Sequence, residues 1–193
     1  VTIDRIAEAI ADYERTRLSG NSAFDRFQAG DEKAISPQAM VGYERFIGKG
    51  RCVQCHVGEN FTDNLFHNLG VGWDKKKKKF LDPGRVAISK KKEDTGAFKT
   101  PGLRDISKHA PYLHDGSLKS LRDVVVLYNK GGNKNPHLSP RIQPLKLTEP
   151  EIDAIVAFLQ TLDGEGYLDR APEPISCWPR CAWVQRDARS ASI

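Results

Sequence analysis

Cys52-Val53-Gln54-Cys55-His56 is the stretch on which the reading of this chain turns. Two thiols three positions apart, with a histidine directly after the second, form the pattern by which a polypeptide attaches a c-type haem. The chemistry is demanding. The thiols add across the two vinyl groups of the porphyrin, and the adjacent imidazole is then held where one ring nitrogen reaches the iron. A redox CxxC pair or half of a zinc site is the competing reading, but there is no second CxxC to complete a zinc site. The other two thiols, Cys177 and Cys181, are spaced CxxxC and followed by Ala182 rather than His. One covalent haem c is therefore expected, attached through Cys52 and Cys55 with His56 as proximal iron ligand. Cys177 and Cys181 read as a local disulfide in an oxidising compartment or as free thiols.

Helical periodicity surrounds the motif. Upstream, Ser36-Pro37 supplies an N-cap followed by proline at the first helical position; Met40, Tyr43, Phe46 and Ile47 give a buried stripe, and Gly48 and Gly50 end the helix. Further upstream, Ile3, Ile6, Ile10 and Tyr13 mark one apolar face of a helix over about residues 3–17, broken by the stretch from Gly20 to Gly30. Residues 57–116 show little periodicity and are rich in Gly, Asp, Asn, Lys and Pro, as expected of long loops that line a site. Ser117 then reads as the cap of a helix carrying Leu118, Leu121, Val124, Val125 and Tyr128, stopped by Gly131-Gly132. Thr148 and Glu151 form a capping box for the clearest helix, with Ile152, Ile155, Val156, Leu159 and Leu162 on its inner face and Gly164 at its end. No alternating run announces a sheet.

The sixth iron ligand decides what such a haem can do. The only methionine, Met40, lies twelve residues before Cys52 on an apolar helix face, so a Met-ligated, high-potential haem is disfavoured. His67, His109, His114, His137 and Tyr128 remain. His67 and His114 sit among turn residues, where hydrogen bonding to a loop is the plainer role, and His109 and His137 read as exposed. Tyr128 shares the stripe of Leu121, Val124 and Val125, so its ring points inward, where a tyrosine is ordinarily core with its hydroxyl hydrogen-bonded.

Composition bounds the alternatives. At 193 residues with 39% hydrophobic and 28% charged side chains, the chain can bury a core. Its longest apolar runs, Val124 to Leu127 and Ile155 to Leu159, fall far short of the ~20 residues that span a bilayer. The start, Val1-Thr2-Ile3-Asp4-Arg5, carries no basic-then-apolar leader. The formal charge is +5, concentrated in Lys75 to Lys79 and Lys90 to Lys92. These runs read as solvated loops or as an electrostatic landing surface for an acidic partner. Nucleic acid is set aside, because no aromatic or arginine residues interleave the lysines.

Three stretches together resemble the C-terminal haem domain of bacterial dihaem cytochrome c peroxidases and MauG-like enzymes: Arg51 to Gly72, Phe98 to Leu118, and the helix from Leu121 to Gly132. The resemblance runs over most of residues 1–168. It implies an all-α fold, a cytochrome c-like haem domain with long loops around the haem over residues 36–168. Residues 1–35 resemble the end of a preceding N-terminal haem domain, and residues 169–193 form a tail outside the resemblance. Carried over, Cys52 and Cys55 attach the haem, His56 is proximal, and the distal ligand falls on Tyr128, a position that is Met in conventional peroxidases and Tyr in MauG-like members. A phenolate stabilises ferric and higher-valent iron, where a thioether stabilises ferrous iron.

The resemblance further implies a calcium ion held by the main-chain carbonyls of His109 and Pro111 with an Asn from the N-terminal domain. The first CxxCH, the bridging Trp and the peroxide-pocket Glu and Gln of that domain do not occur in this sequence. The chain is thus expected to be either a fragment of a dihaem enzyme or a shortened single-haem relative. A relay of electrons or oxidising equivalents to or from a peroxide-reactive haem on a second domain or chain is expected, with a small cytochrome, a copper protein or a protein substrate as the outer partner. The alternative is a stand-alone monohaem electron-transfer cytochrome without peroxidase turnover. Covalent haem attachment implies a periplasmic location.

Overall fold

The computed structural model describes residues 1–17 and 19–165. Cys177, Cys181 and the tail from residue 169 lie outside the described residues. The helices are α1 (Ile3–Arg15), α2 (Ala23–Gln28), α3 (Pro37–Ile47), α4 (Val86–Ser89), α5 (Leu121–Asn129) and α6 (Glu149–Gln160). Four two-residue strands, β1 (Phe66–His67), β2 (Trp73–Asp74), β3 (Lys79–Phe80) and β4 (Phe98–Lys99), pair as the antiparallel ladders β1–β4 and β2–β3. The architecture is helical, with two short ladders that the sequence pattern did not announce.

The core forms where α3 crosses α6. A Cβ added at Gly42 would sit 1.9 Å from the Ala154 carbonyl oxygen, so only glycine lets the two backbones approach this closely. Against that crossing pack the rings of Phe24, Tyr43, Phe46 and Phe61, with Phe158 at the centre and 0% exposed. α6 begins as the sequence predicts: the Thr148 N–H donates to the Glu151 carboxylate at 2.9 Å, and Ile152, Ile155, Leu159 and Leu162 are buried. Val156 is only half-buried, and Phe158 takes the central place instead.

Four expectations shift. α3 is capped by Ser36 as read, but its buried face is Ala39, Gly42 and Phe46, leaving Met40 half-buried and Ile47 exposed. The stretch between Gly20 and Gly30 contains α2, nucleated by a capping box between Ser22 and Asp25 and anchored by buried Phe24. α5 starts at Leu121 rather than after Ser117, because the Ser120–Asp123 capping box is the stronger start and Leu118 instead bridges Tyr112. Finally, α1 forms, but no residue of it is buried: Ile3, Ile6, Ile10 and Tyr13 remain exposed among the described residues.

Residues 57–116 wrap the open side of this helical core. Short turns and ladders, not a continuous element, hold them. Gly70, at φ +77°, brings the loop so close to a second one that a Cβ would lie 1.9 Å from the Asn133 carbonyl oxygen.

Candidate functional site

A cavity of about 490 Å3 lies between the helical core and the loop wall. Its volume is within the about 300–1,000 Å3 typical of cofactor sites. Leu121, Val124 and Val125 of α5, Leu145 and Leu147 of the following loop, and Leu159 of α6 supply apolar walls. Cys52, Cys55, His56 and Tyr128 all line it. The residues singled out by the motif and the inward-facing tyrosine are therefore brought to one place.

Local structure explains each position. Arg51 adopts a left-handed conformation (φ 53°) that ends the α3 exit and starts a single 3-10 turn over Cys52–Gln54. The His56 N–H and the Cys55 N–H both donate to the Cys52 carbonyl, at 2.9 and 3.1 Å, so the turn places the histidine directly behind the cysteine pair. His56 Nδ1 lies 2.8 Å from the Phe61 carbonyl oxygen. A carbonyl can only accept, so Nδ1 carries the proton and Nε2 keeps its lone pair, the arrangement typical of a metal-ligating histidine. Burial holds the imidazole's pKa below its ordinary value, which keeps it neutral and ligand-competent.

Burial pushes the Cys52 thiol up to about 12, and its Sγ donates to the Gly50 carbonyl at 3.4 Å. The Cys55 thiol is also raised by burial, with the Arg141 guanidinium 3.9 Å from its sulfur.

Tyr128 departs from the ordinary buried tyrosine. Burial, with a smaller contribution from the nearby Cys52 and Cys55 sulfurs, raises its phenol well above the usual range. No hydrogen bond among the described residues engages its hydroxyl. Among described side chains only the Ser19 hydroxyl is both sealed from any solvent-sized volume and unpartnered, so the Tyr128 oxygen opens into the cavity. Two thiols, an imidazole nitrogen with a free lone pair and an unpartnered phenol, set in apolar walls, are a donor set that fits a covalently attached haem.

The remaining histidines divide. His67 hydrogen-bonds a loop side chain, with Nε2 2.8 Å from Asp63 Oδ2. His114 lies on the cavity wall with no side-chain hydrogen bond among the described residues; its ring stacks on Phe98 at 3.5 Å and 7°. His109 and Pro111 are exposed at the cavity rim, and their carbonyls accept no backbone hydrogen bond among the described residues. His137 and Met40 do not line the cavity.

Sequence reading missed the charged group at the mouth. Arg141 donates to the Gln54 carbonyl at 2.6 Å and lies 3.4 Å from Asp63, which also receives the Leu65 N–H at 2.9 Å. Cys55, Asp63 and His67 present ligand atoms within 4.8 Å of one another, a set open to a metal ion only while Cys55 remains a thiol. No local signal joins these residues; Arg141 is 87 positions from Gln54, and only the folded chain pairs them.

Burial pushes the Asp63 carboxyl up, but hydrogen bonds from His67 and the Leu65 N–H outweigh it and hold the group at about 2. Its folded pKa lies below the ordinary ~3.9. The stability it contributes is therefore complete above about pH 4 and lost as pH falls toward 2. Asp63→Asn should lower the thermal midpoint at neutral pH, with the gap to wild type narrowing as pH is brought down through that window. An equal gap at neutral and acidic pH would contradict this assignment.

No family model matches the chain. It is 43% identical over 162 residues to the methylamine utilization protein MauG of Methylorubrum extorquens, covering 83% of this chain and 44% of that protein. It is 38% identical over 174 residues to MauG of Methylophilus methylotrophus (89% and 50% covered), and 35% identical over 170 residues to cytochrome c551 peroxidase of Nitrosomonas europaea (86% and 46%). The chain spans about half the length of the curated relatives it matches. Among solved structures, a MauG-like protein associated with microbial copper homeostasis superposes with a TM-score of 0.74 at 27% identity, over 86% of this chain and 58% of that one. The diheme peroxidase BthA from Burkholderia thailandensis shares the fold with a TM-score of 0.60 at 22% identity, over 75% and 46%.

Proposed function

Because the chain belongs to the family of MauG and dihaem cytochrome c peroxidases, we propose that it holds one haem c through Cys52, Cys55, His56 and Tyr128 and serves a peroxidase as its electron-relay half. On this reading it passes electrons or oxidising equivalents between a peroxide-reactive haem on a second domain or chain and an outer partner, which is a small cytochrome, a copper protein or a protein substrate. The observation that carries it is the Tyr128 hydroxyl, without a hydrogen-bond partner among the described residues and opening into the same apolar cavity as His56 and both cysteine residues.

Haem c, when bound, supplies one-electron redox chemistry. The chain's own residues set its terms. Phe61 fixes the His56 tautomer so that Nε2 is the donor. Tyr128 would hold the iron through its phenol oxygen, a hard donor that would favour the oxidised metal. Leucine and valine walls exclude water around both. With His56 and Tyr128 both committed to holding the iron, this chain would leave no position open at which a peroxide could be bound and cleaved. Peroxide activation therefore belongs to the partner haem.

Residues 36–168 are taken as the haem domain and residues 1–35 as the segment joining it to a preceding one. The rim carbonyls of His109 and Pro111, free of backbone hydrogen bonds, are the two ligands this half would offer a shared calcium ion. Periplasmic residence follows from covalent haem attachment, and no described helix is long and apolar enough to cross a membrane.

The test is peroxide added to the holo chain alone. Little spectral change at stoichiometric peroxide is expected. A rapid, stoichiometric change would put the peroxide reaction on this chain and overturn the relay reading.

A further inference from the structure

We propose that the face carried by residues 75–92 is the docking surface for a small acidic redox protein, seated over Leu81 and Ile88. The proposal rests on the haem reading above for what is transferred; the docking itself does not depend on it.

Charge is the first observation. Between residues 75 and 92 stand eight lysines and Arg85 against a single carboxylate, Asp82, in a chain whose formal charge is only +5. The rest of the chain is thus net acidic, although Asp74, Glu93 and Asp94 flank the segment itself. All eight lysines are exposed, and among the described residues only Lys77 of the eight has a carboxylate within 4 Å, Asp74 at 3.8 Å. Unneutralised lysines held together cost repulsion, and an acidic partner relieves it.

The second observation is apolar. Leu81 and Ile88 stand between the two lysine runs in the sequence and are 79% and 86% exposed. Exposed aliphatic side chains in a lysine-rich segment supply the two ingredients of a transient protein interface, apolar contact and charge. Lipid would need a larger continuous apolar face than two side chains provide.

Rigidity is the third. The Lys75–Lys78 tip is clamped by the Trp73–Phe80 ring pair at 4.9 Å and by the Lys76 and Lys77 N–H groups donating to Asp74 Oδ1 at 2.8 and 2.9 Å. Arg85 is fixed by Asp94 at 3.2 Å and lies 3.8 Å over the Phe66 ring. The surface also backs onto the site. The Arg85 N–H donates to the Ala97 carbonyl at 2.9 Å, and the neighbours of Ala97, Gly96 and Phe98, line the cavity. The exchange is a single electron: the partner's metal is oxidised by one unit, this chain's site is reduced by one, and no proton or group moves.

The experiment mixes oxidised holo chain with a reduced small copper protein bearing an acidic face, by stopped flow, at low and physiological ionic strength. Replacing Lys75, Lys76, Lys78, Lys90, Lys91 and Lys92 by Gln should slow the second-order rate about tenfold or more at low salt, with the difference shrinking as salt screens it. Ile88→Ser should weaken binding at both salt levels. Reduction by a small uncharged quinol should be the same in every variant, showing an intact site. Equal rates for wild type and the lysine variant at low salt would overturn the proposal. So would phosphatidylglycerol vesicles binding wild type while the copper protein reacts independently of the lysines, which would make this a lipid-facing surface. Failure of the quinol to reduce wild type would sink the haem reading instead. Calorimetric titration with the same copper protein then decides the docking, which requires salt-sensitive binding lost in the lysine variant.

Discussion

Tyr128→Phe should convert a six-coordinate, low-spin holo protein to a high-spin one and raise its reduction potential. The potential shift should be on the order of 0.1 V, a modest part of the roughly 0.8 V over which axial ligands tune haem iron. The reasoning is local. The hydroxyl has no hydrogen bond among the described residues, so deleting it removes no structural contact and leaves the ring's packing on α5 intact. Folding stability should change by less than about 1 kcal/mol. A ligand loss without a fold loss separates an axial role from a packing role. An unchanged spectrum would move the sixth position to water or another side chain, the histidines of the cavity wall being His67, His109 and His114.

Phe158→Ala carries the second large effect, on stability. Phe158 is 0% exposed, and its ring lies 5.1 Å from Phe24, 5.3 Å from Tyr43 and 5.1 Å from Phe46. It is the common neighbour of α2, α3 and α6. Emptying that position should cost about 3–5 kcal/mol, and on a chain of this size lower the melting temperature by about 10 °C or more. The loss should reach the site as well, since Phe46 joins this cluster to the His56 ring at 6.4 Å. Urea unfolding of the holo protein measures it; a cost under about 1 kcal/mol would mean that the aromatic cluster is not the keystone described above.

Much of this was legible in the sequence because the relevant physics is short-range. The attachment motif is five consecutive residues, and the starts of α3 and α6 are written in their caps, Ser36-Pro37 and Thr148 with Glu151. Tyr128 was placed inward by helical spacing alone. What escaped was set by tertiary contact. Periodicity offered Met40 and Ile47 as the buried side of α3, whereas the close crossing at Gly42 rotates Ala39, Gly42 and Phe46 inward. Local pattern could not reveal that Arg141 reaches Gln54 and Asp63, nor that His114 stacks on Phe98, because these pairs form only when distant loops meet. α1 shows the converse: its amphipathic pattern is clear, yet no described residue covers it. The lysine runs were visible as charge, and only the fold shows that Leu81 and Ile88 in the same segment stand exposed with them.

The decisive measurement is the mass of the peptide containing residues 52–56, taken from chain matured where haem attachment occurs and analysed after denaturation. The reading given above requires that peptide to be heavier by one haem through both Cys52 and Cys55, with no second modified site. An unmodified peptide, or a haem that extracts freely into acidified solvent, would contradict it.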